Sequence, residues 1–292
     1  MEIAFDFGIT NTDVAVQDKQ ELNFYTFSSK KVDIAFILEI LSEINLDTKL
    51  ITKIVVTGGK SSDLQDALDG IPIIKINEVE AVGHGAKELY QIKDQKFMAV
   101  STGTGTACVA YMDNEFHHLG GISVGGGTLQ GLSNLTIDIN KADEIEELSR
   151  VGNKKNLDAL IGEVVNNIGS LNTDITASNF SKARNNTNFN NEDIASSISN
   201  MVGEVIGTVA YLNALLIGVS NVYFIGRVSK MSTVKDGIEK RLNLAGISGN
   251  YEEKQEFANV IGAIAYLNAN TCLLYTSPSP RDLSTSRMPS SA

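Results

Sequence analysis

A chain of 292 residues that is 42% hydrophobic and 20% charged can bury a sizeable core, and its length is near the limit for one core, so two lobes are expected. A formal charge of -11 makes the surface repel phosphodiester backbones and anionic membranes, which removes nucleic acid and membrane from the expected partners. No apolar run of membrane-spanning length and no signal peptide is read, and the two cysteines give no disulfide framework, so a cytoplasmic enzyme-sized protein is expected.

In chain order, Met1 to Asp6 reads as a strand, followed by a turn over Phe7 to Asn11 and further strands through Val14–Val16 and Leu22–Phe27. Their alternation predicts an antiparallel meander. Val32 to Ile44 carries helical spacing, Leu50 to Thr57 is a buried strand stopped by Gly58-Gly59, Ser61-Ser62-Asp63 caps a short helix, Ile71 to Ile76 is a strand, and Glu80 to Tyr90 a helix. From Phe97 the pattern restarts: strands over Phe97–Ser101, Thr106–Met112 and near Phe116, a Gly-rich loop, then helices over Lys141–Ile168 and Glu192–Ile217. A strand over Asn221–Ile225 and helices over Met231–Leu242 and Phe257–Asn268 complete the reading. Two α/β halves result, each opened by a hairpin with a polar tip, with boundaries at residues 1–96 and 97–271.

The segment from Cys272 onward changes composition abruptly, holding Pro278, Pro280 and Pro289 out of the chain's four prolines. CLLYTSPSPRD resembles the conceptual translation of a sequencing-library adapter, and SRMPSSA the flow-cell primer that follows it. Residues 272–292 are therefore read as a non-native, disordered tail.

Three Gly- and hydroxyl-rich segments carry chemistry. The first tip, Asp6-Phe7-Gly8-Ile9-Thr10-Asn11-Thr12-Asp13, offers a carboxylate for Mg²⁺ at Asp6 and turn amides and hydroxyls for phosphate at Gly8, Thr10, Asn11 and Thr12. An ordinary hairpin capped by Asx and Thr bonds would look the same. The second tip, Ser101-Thr102-Gly103-Thr104-Gly105-Thr106, lets amides approach phosphate closely at Gly103 and Gly105 while Thr104 and Thr106 add hydroxyls. The third, Gly120 to Thr128, has five glycines in eight residues ahead of a helix, with Gly125, Gly126 and Gly127 at its positive end. Glu78 and Glu80 follow a strand end; Glu80 as a helix N-terminal charge is the default reading, and the alternative is the carboxylate that a kinase acting on an alcohol needs to take the hydroxyl proton. Cys108 is read as an inert core thiol, and the three histidines as no metal cluster.

These segments, together with Val55-Val56-Thr57-Gly58-Gly59, Glu78-Val79-Glu80-Ala81, Thr176-Ala177-Ser178-Asn179-Phe180 and Met201 to Ile206, occur in an order that resembles type II pantothenate kinases, from the N-terminus to about Asn268. The resemblance implies an α/β two-lobe actin-like ATPase (ribonuclease H-like) fold with a duplicated β-meander and an interlobe nucleotide cleft. It implies ATP and Mg²⁺ as cofactors and phosphorylation of pantothenate, the first step towards coenzyme A. Glu78 matches the family's catalytic acid and Asp6 its metal-side aspartate. Gly226 opens the adenosine segment, and Thr104, His118 and Gly121 fall at substrate positions. Homodimers are implied, with the helix of Glu192–Ile217 near the contact.

Four positions depart from the family pattern. His118 stands where an Arg usually contacts the substrate carboxylate, and a histidine lacks that fixed, bidentate charge. Ala107 replaces a hydroxyl residue, Asp13 replaces a Lys and is expected to add negative charge near the phosphates, and Gly226-Arg227-Val228-Ser229 replaces a Gly-Ser-Ser-Phe type segment. Two further readings stay open: a non-catalytic nucleotide sensor of the same fold, and a kinase or hydantoinase-type ATPase acting on another small hydroxylated substrate.

Overall fold

The computed structural model describes residues 1–19, 21–165, 173–186 and 188–276, with side chains to residue 269. The first sheet contains β1 (Glu2–Phe7), β2 (Asn11–Asp18), β3 (Glu21–Ser28), β4 (Lys53–Gly58), β5 (Ala67–Leu68) and β6 (Ile71–Lys75), in the order β3-β2-β1-β4-β6-β5. The meander is antiparallel, whereas β4 runs parallel to both β1 and β6. The second sheet contains β7 (Phe97–Thr102), β8 (Thr106–Met112) and β9 (Glu115–Ile122), which form another antiparallel meander. After β10 (Ala159–Leu160) and β11 (Thr176–Ser178), a separate pair, the second sheet is completed by β12 (Asn221–Ile225) and β13 (Ser248–Asn250), both parallel to β7's direction. Each sheet is thus a meander whose first strand continues into two parallel strands.

Helices cover both faces of both sheets. They are α1 (Ile34–Glu43), α2 (Glu78–Leu89), α3 (Gly126–Ile137), α4 (Ala142–Val151), the single turn α5 (Ile161–Val164), α6 (Asn191–Ile217), α7 (Ser232–Leu244) and α8 (Ala258–Thr276). Strand alternation decides what each face meets. Ile3, Phe5 and Phe7 point to one side of the first sheet, where they pack with Ile37, Ile40 and Leu41 of α1. Ala4, Ala15 and Val55 point to the other, against Val260, Ala263 and Ile264 of α8. In the second sheet Met98, Val100 and Cys108 meet α3, α6 and α7, while Ala99 and Val109 meet Val82 and Ala86 of α2. Fully burying each of the larger side chains stabilises the fold by roughly 1.5–3 kcal/mol.

Two helices therefore serve the sheet that is remote from them in sequence. α2 follows the first sheet yet packs on the second, and α8 follows the second yet packs on the first. They cross one another closely, because a Cβ at Gly262 would lie 2.0 Å from the Ala81 carbonyl oxygen. The sheets are joined by this crossing, and the open side between them is the cleft.

Several boundaries differ from expectation. The stretch read as one Gly-rich loop is divided: Gly120 and Gly121 lie in β9, and Gly126 to Thr128 form the first turn of α3. The helical stretch read over Lys141–Ile168 contains α4, a 3₁₀ turn, β10 and α5, and residues 166–168 lie outside the described residues. The boundary placed at Cys272 falls inside α8, which runs to Thr276; the rest of that segment lies outside the described residues. α6, at 27 residues, is long and apolar enough to cross a membrane by length and composition, against the sequence expectation. It nonetheless carries Asn200 and Glu204 on its buried side, where Glu204 bonds Lys154, Thr176 and Arg241.

Candidate active site

The ends of β1 and β7, the first strands of the two meanders, face one another across the cleft. Asp6 is the penultimate residue of β1 and stands opposite Asp13 on β2. Its Oδ2 accepts from Asn259 Nδ2 of α8 at 2.9 Å. Asp6 keeps some accessible surface, yet the protein packed around it desolvates the carboxylate and pushes its pKa up to about 7. The Asn259 bond opposes that rise, the neighbouring Asp13 and Glu78 charges add to it, and Arg227 offsets part of it.

The second tip turns between β7 and β8, and its Thr104 Oγ1 lies 3.2 Å from Thr10 Oγ1 of the first tip. The turn is locked from behind by the start of α3: Gly126 N donates to Gly103 O at 2.8 Å and Gly127 N to Thr104 O at 3.0 Å. Only glycine fits at 125, since a Cβ there would sit 2.8 Å from both the Gly103 and the Thr104 carbonyl oxygens. Thr106 Oγ1 completes the brace by donating to Val124 O at 2.8 Å.

Two cavities open on this junction. The first, about 460 Å³, is lined by both tips, the α3 start, Gly226 to Val228, Lys230 and Met231, and Gln255, Glu256 and Asn259. Its far wall is held by a buried polar chain that the sequence did not single out. Thr102 Oγ1 lies 2.8 Å from Ser229 Oγ, which accepts from Gln255 Nε2 at 2.8 Å, while Gly226 N donates to Gln255 O at 2.8 Å. The second cavity, about 650 Å³, is lined by Glu78 at the first turn of α2, by Thr104 to Ala107, and by His118 and Gly121 of β9. Asn77 caps α2 by accepting from Val79 N at 2.9 Å, which fixes the helix start where Glu78 leaves it. A bulge in β9, where His118 pairs with Val109 but Gly120 with Cys108, changes the strand's course beside His118. Asp6, Gly8, Ile9, Ser101, Gly103, Thr104 and Asn259 line both cavities.

The Fumble family model matches residues 9–236. A type II pantothenate kinase of Bacillus cereus (strain AH820) is 31% identical over 280 residues, covering 90% of this chain and 96% of that relative. The chain belongs to the Fumble family of type II pantothenate kinases. Among solved structures, the activator of the 2-hydroxyisocaproyl-CoA dehydratase from Clostridium difficile, with bound ADPNP, matches with a TM-score of 0.66 at 18% identity over 95% of this chain and 98% of its own. A ROK family glucokinase from Streptomyces griseus, in complex with glucose and AMPPNP, matches with 0.55 at 14% identity over 91% of this chain and 98% of its own. At these identities the likeness shows the fold alone, an α/β two-lobe actin-like ATPase fold.

Within the family frame, the structure brings Asp6, Gly8, Thr10, Asn11, Gly103, Thr104, Gly126 and Gly226 to the first cavity, and Glu78, Thr104, Gly105, Thr106, His118 and Gly121 to the second. Thr12, Gly125 and Gly127 line neither. Thr12 is buried with its hydroxyl 3.1 Å from Ser29 Oγ, because alternation along β2 turns it away from Asp13 and the cleft. The amides of Gly126 and Gly127 are occupied by the second tip, so this glycine cluster braces that tip. Glu80 lines neither cavity; it lies 3.4 Å from His84 on the same helix. Asp13, expected to add free negative charge, is instead clamped by Arg227, whose Nη1 donates to Oδ2 at 2.8 Å. Cys108 is buried and its thiol is pushed up to about 11 by desolvation, which leaves it protonated at neutral pH.

Proposed function

We propose that this chain transfers the γ-phosphoryl group of ATP to the primary hydroxyl of pantothenate, giving 4'-phosphopantothenate, the first step towards coenzyme A. The observation that carries this reading is the shared wall of the two cavities: Asp6, Gly8, Gly103 and Thr104 border both, while Glu78 borders only the second. A nucleotide in the first cavity would present its terminal phosphate at that wall, and a hydroxyl in the second would approach it beside Glu78. Glu78 accepts the hydroxyl proton as the oxygen–phosphorus bond forms and the bond to the ADP leaving group breaks.

The donors present fit Mg²⁺. The ion is usually held by one or two carboxylates together with substrate phosphates, and it neutralises charge on the transferring group. Asp6 is a single desolvated carboxylate for which a cation would replace lost hydration, and no cluster of three or more His, Cys, Asp or Glu occurs among the described residues. His118 is the only basic side chain lining the second cavity among the described residues, so it is assigned to the carboxylate end of pantothenate.

In this reading the lobes of residues 1–96 and 97–271 close on the nucleotide, with α2 and α8 as the crossing helices. A homodimer forms through the outer face of α6, where Leu212, Leu215 and Leu216 are exposed at helical spacing. The protein works in the cytoplasm without nucleic acid or membrane partners. The lack of Lys or Arg around the second cavity, among its described lining residues, also favours one rival: a kinase for a hydroxylated substrate without a carboxylate.

The test is incubation with Mg²⁺-ATP and pantothenate, or pantothenol as the uncharged comparator, with products followed by mass. Phosphopantothenate as the preferred product supports the reading. Turnover of pantothenol alone would transfer the assignment to the rival, and neither product with ATP bound would favour a nucleotide sensor.

A further inference from the structure

Two departures from the family pattern, Asp13 and Arg227, stand 214 residues apart in the chain and meet across the cleft. Asp13 belongs to β2 of the first sheet, directly opposite Asp6 on β1 and Thr26 on β3. Arg227 follows Gly226 at the end of β12 in the second sheet. The guanidinium grips both carboxylate oxygens: Nη1 donates to Oδ2 at 2.8 Å and Nη2 to Oδ1 at 2.5 Å. Nη2 also donates to Thr26 Oγ1 at 2.8 Å, and Thr26 in turn donates to Asp13 Oδ1 at 2.7 Å. A planar fork on a carboxylate fixes direction as well as distance.

Asp13 is the buried member of this pair, while the Arg227 side chain is 38% exposed. Asp13 is only 5% exposed and faces a second carboxylate at Asp6. Without a partner, a charge so placed is costly to desolvate. A lysine at position 13 would instead confront the Arg227 guanidinium. Both residues line the first cavity, and their bond ties the strand that carries the first tip to the loop that holds the cavity's far wall.

We propose that Asp13 and Arg227 are a positioning pair, an interlobe clasp that sets the width of the nucleotide cleft and holds the two tips at the spacing that receives ATP. This rests on the reading that the first cavity takes the nucleotide, and it is independent of the identity of the acceptor.

The experiment is a calorimetric titration of the full chain with Mg²⁺ and a non-hydrolysable ATP analogue, without acceptor, alongside thermal unfolding. The variants are Asp13→Lys, Arg227→Ser, the two combined, and the reversed pair Asp13→Arg with Arg227→Asp. Each single variant should weaken analogue binding about tenfold or more, and at least one paired variant should recover to within about threefold, the non-additivity expected of groups in contact. Losses that multiply in the paired variants, or single variants that bind as the parent does, would overturn the clasp. So would pairs that recover the melting temperature but not the affinity, since the bond would then be structural only. A parent chain that does not bind the analogue would remove the nucleotide reading itself, and the clasp with it.

Discussion

Among its described lining residues the first cavity holds two strong cations, Arg227 and Lys230, and each is already bound to a carboxylate, Asp13 in one case and Glu256 in the other. The second cavity, among its described lining residues, holds neither Lys or Arg, and only His118 can supply positive charge opposite Asp6 and Glu78. On the proposed nucleotide side, both of these cations are paired within the protein. On the acceptor side, the balance is left to the ligand. In the proposed reading, the nucleotide side is therefore set by pairs within the fold, while selection among acceptors rests on the few side chains of the second cavity.

The comparison is broken most severely by Glu78→Gln. Loss of a general base lowers turnover by about 10²–10⁴-fold, and because Glu78 lies only in the second cavity, binding of the ATP analogue should stay near the parent value. Steady-state kinetics beside analogue titration would show this, and a parallel loss of nucleotide affinity would mean the cavities are not separable in function.

Next in size is a pH effect on the shared wall. The Asp6 pKa is raised from 3.8 to about 7, so between those values the folded state holds a proton that the unfolded chain has lost. The stability contribution of this group therefore falls as pH rises through that window and levels off above 7. Mg²⁺-ATP requires the charged carboxylate, so its affinity should run the other way, weakening by about tenfold per pH unit below 7. Analogue titrations from pH 5.5 to 8 would measure it, and Asp6→Asn should bind weakly with no such slope.

A smaller effect sharpens the acceptor side. His118→Arg should lower the KM for pantothenate by about tenfold, the worth of a charge-assisted bidentate contact, and leave the KM for ATP unchanged. An ATP-side change would place His118 elsewhere. The smallest effect belongs to Thr12→Val, which removes one enclosed hydroxyl bond to Ser29 and should cost about 1 kcal/mol of stability with kinetics unaltered.

Much of this was legible in the sequence because it is local. The meanders follow from strand alternation, α2 and α6 from helical spacing, and the places of Glu78 and Thr104 from the strands they follow, whereas His118 is singled out only by the family resemblance. What was not legible depends on distant partners. The order of residues does not show that the amides of Gly126 and Gly127 are taken by carbonyls of the preceding tip. Nor does it show that Asp13 meets Arg227, or that Gln255, in the turn before the last helix, and Asn259, in that helix's first turn, complete the cleft. Thr12 could have been placed correctly by counting alternation from Asp6 and Asp13; its hydroxyl type masked its inward direction.

The most direct test is a crystal structure of the full chain with Mg²⁺, a non-hydrolysable ATP analogue and pantothenate. The account predicts the terminal phosphate at the wall formed by Asp6, Thr10 and Thr104, with the pantothenate hydroxyl within hydrogen-bond reach of Glu78 and its carboxylate turned towards His118. An analogue bound outside the first cavity, or pantothenate bound with its hydroxyl away from Glu78, would contradict it.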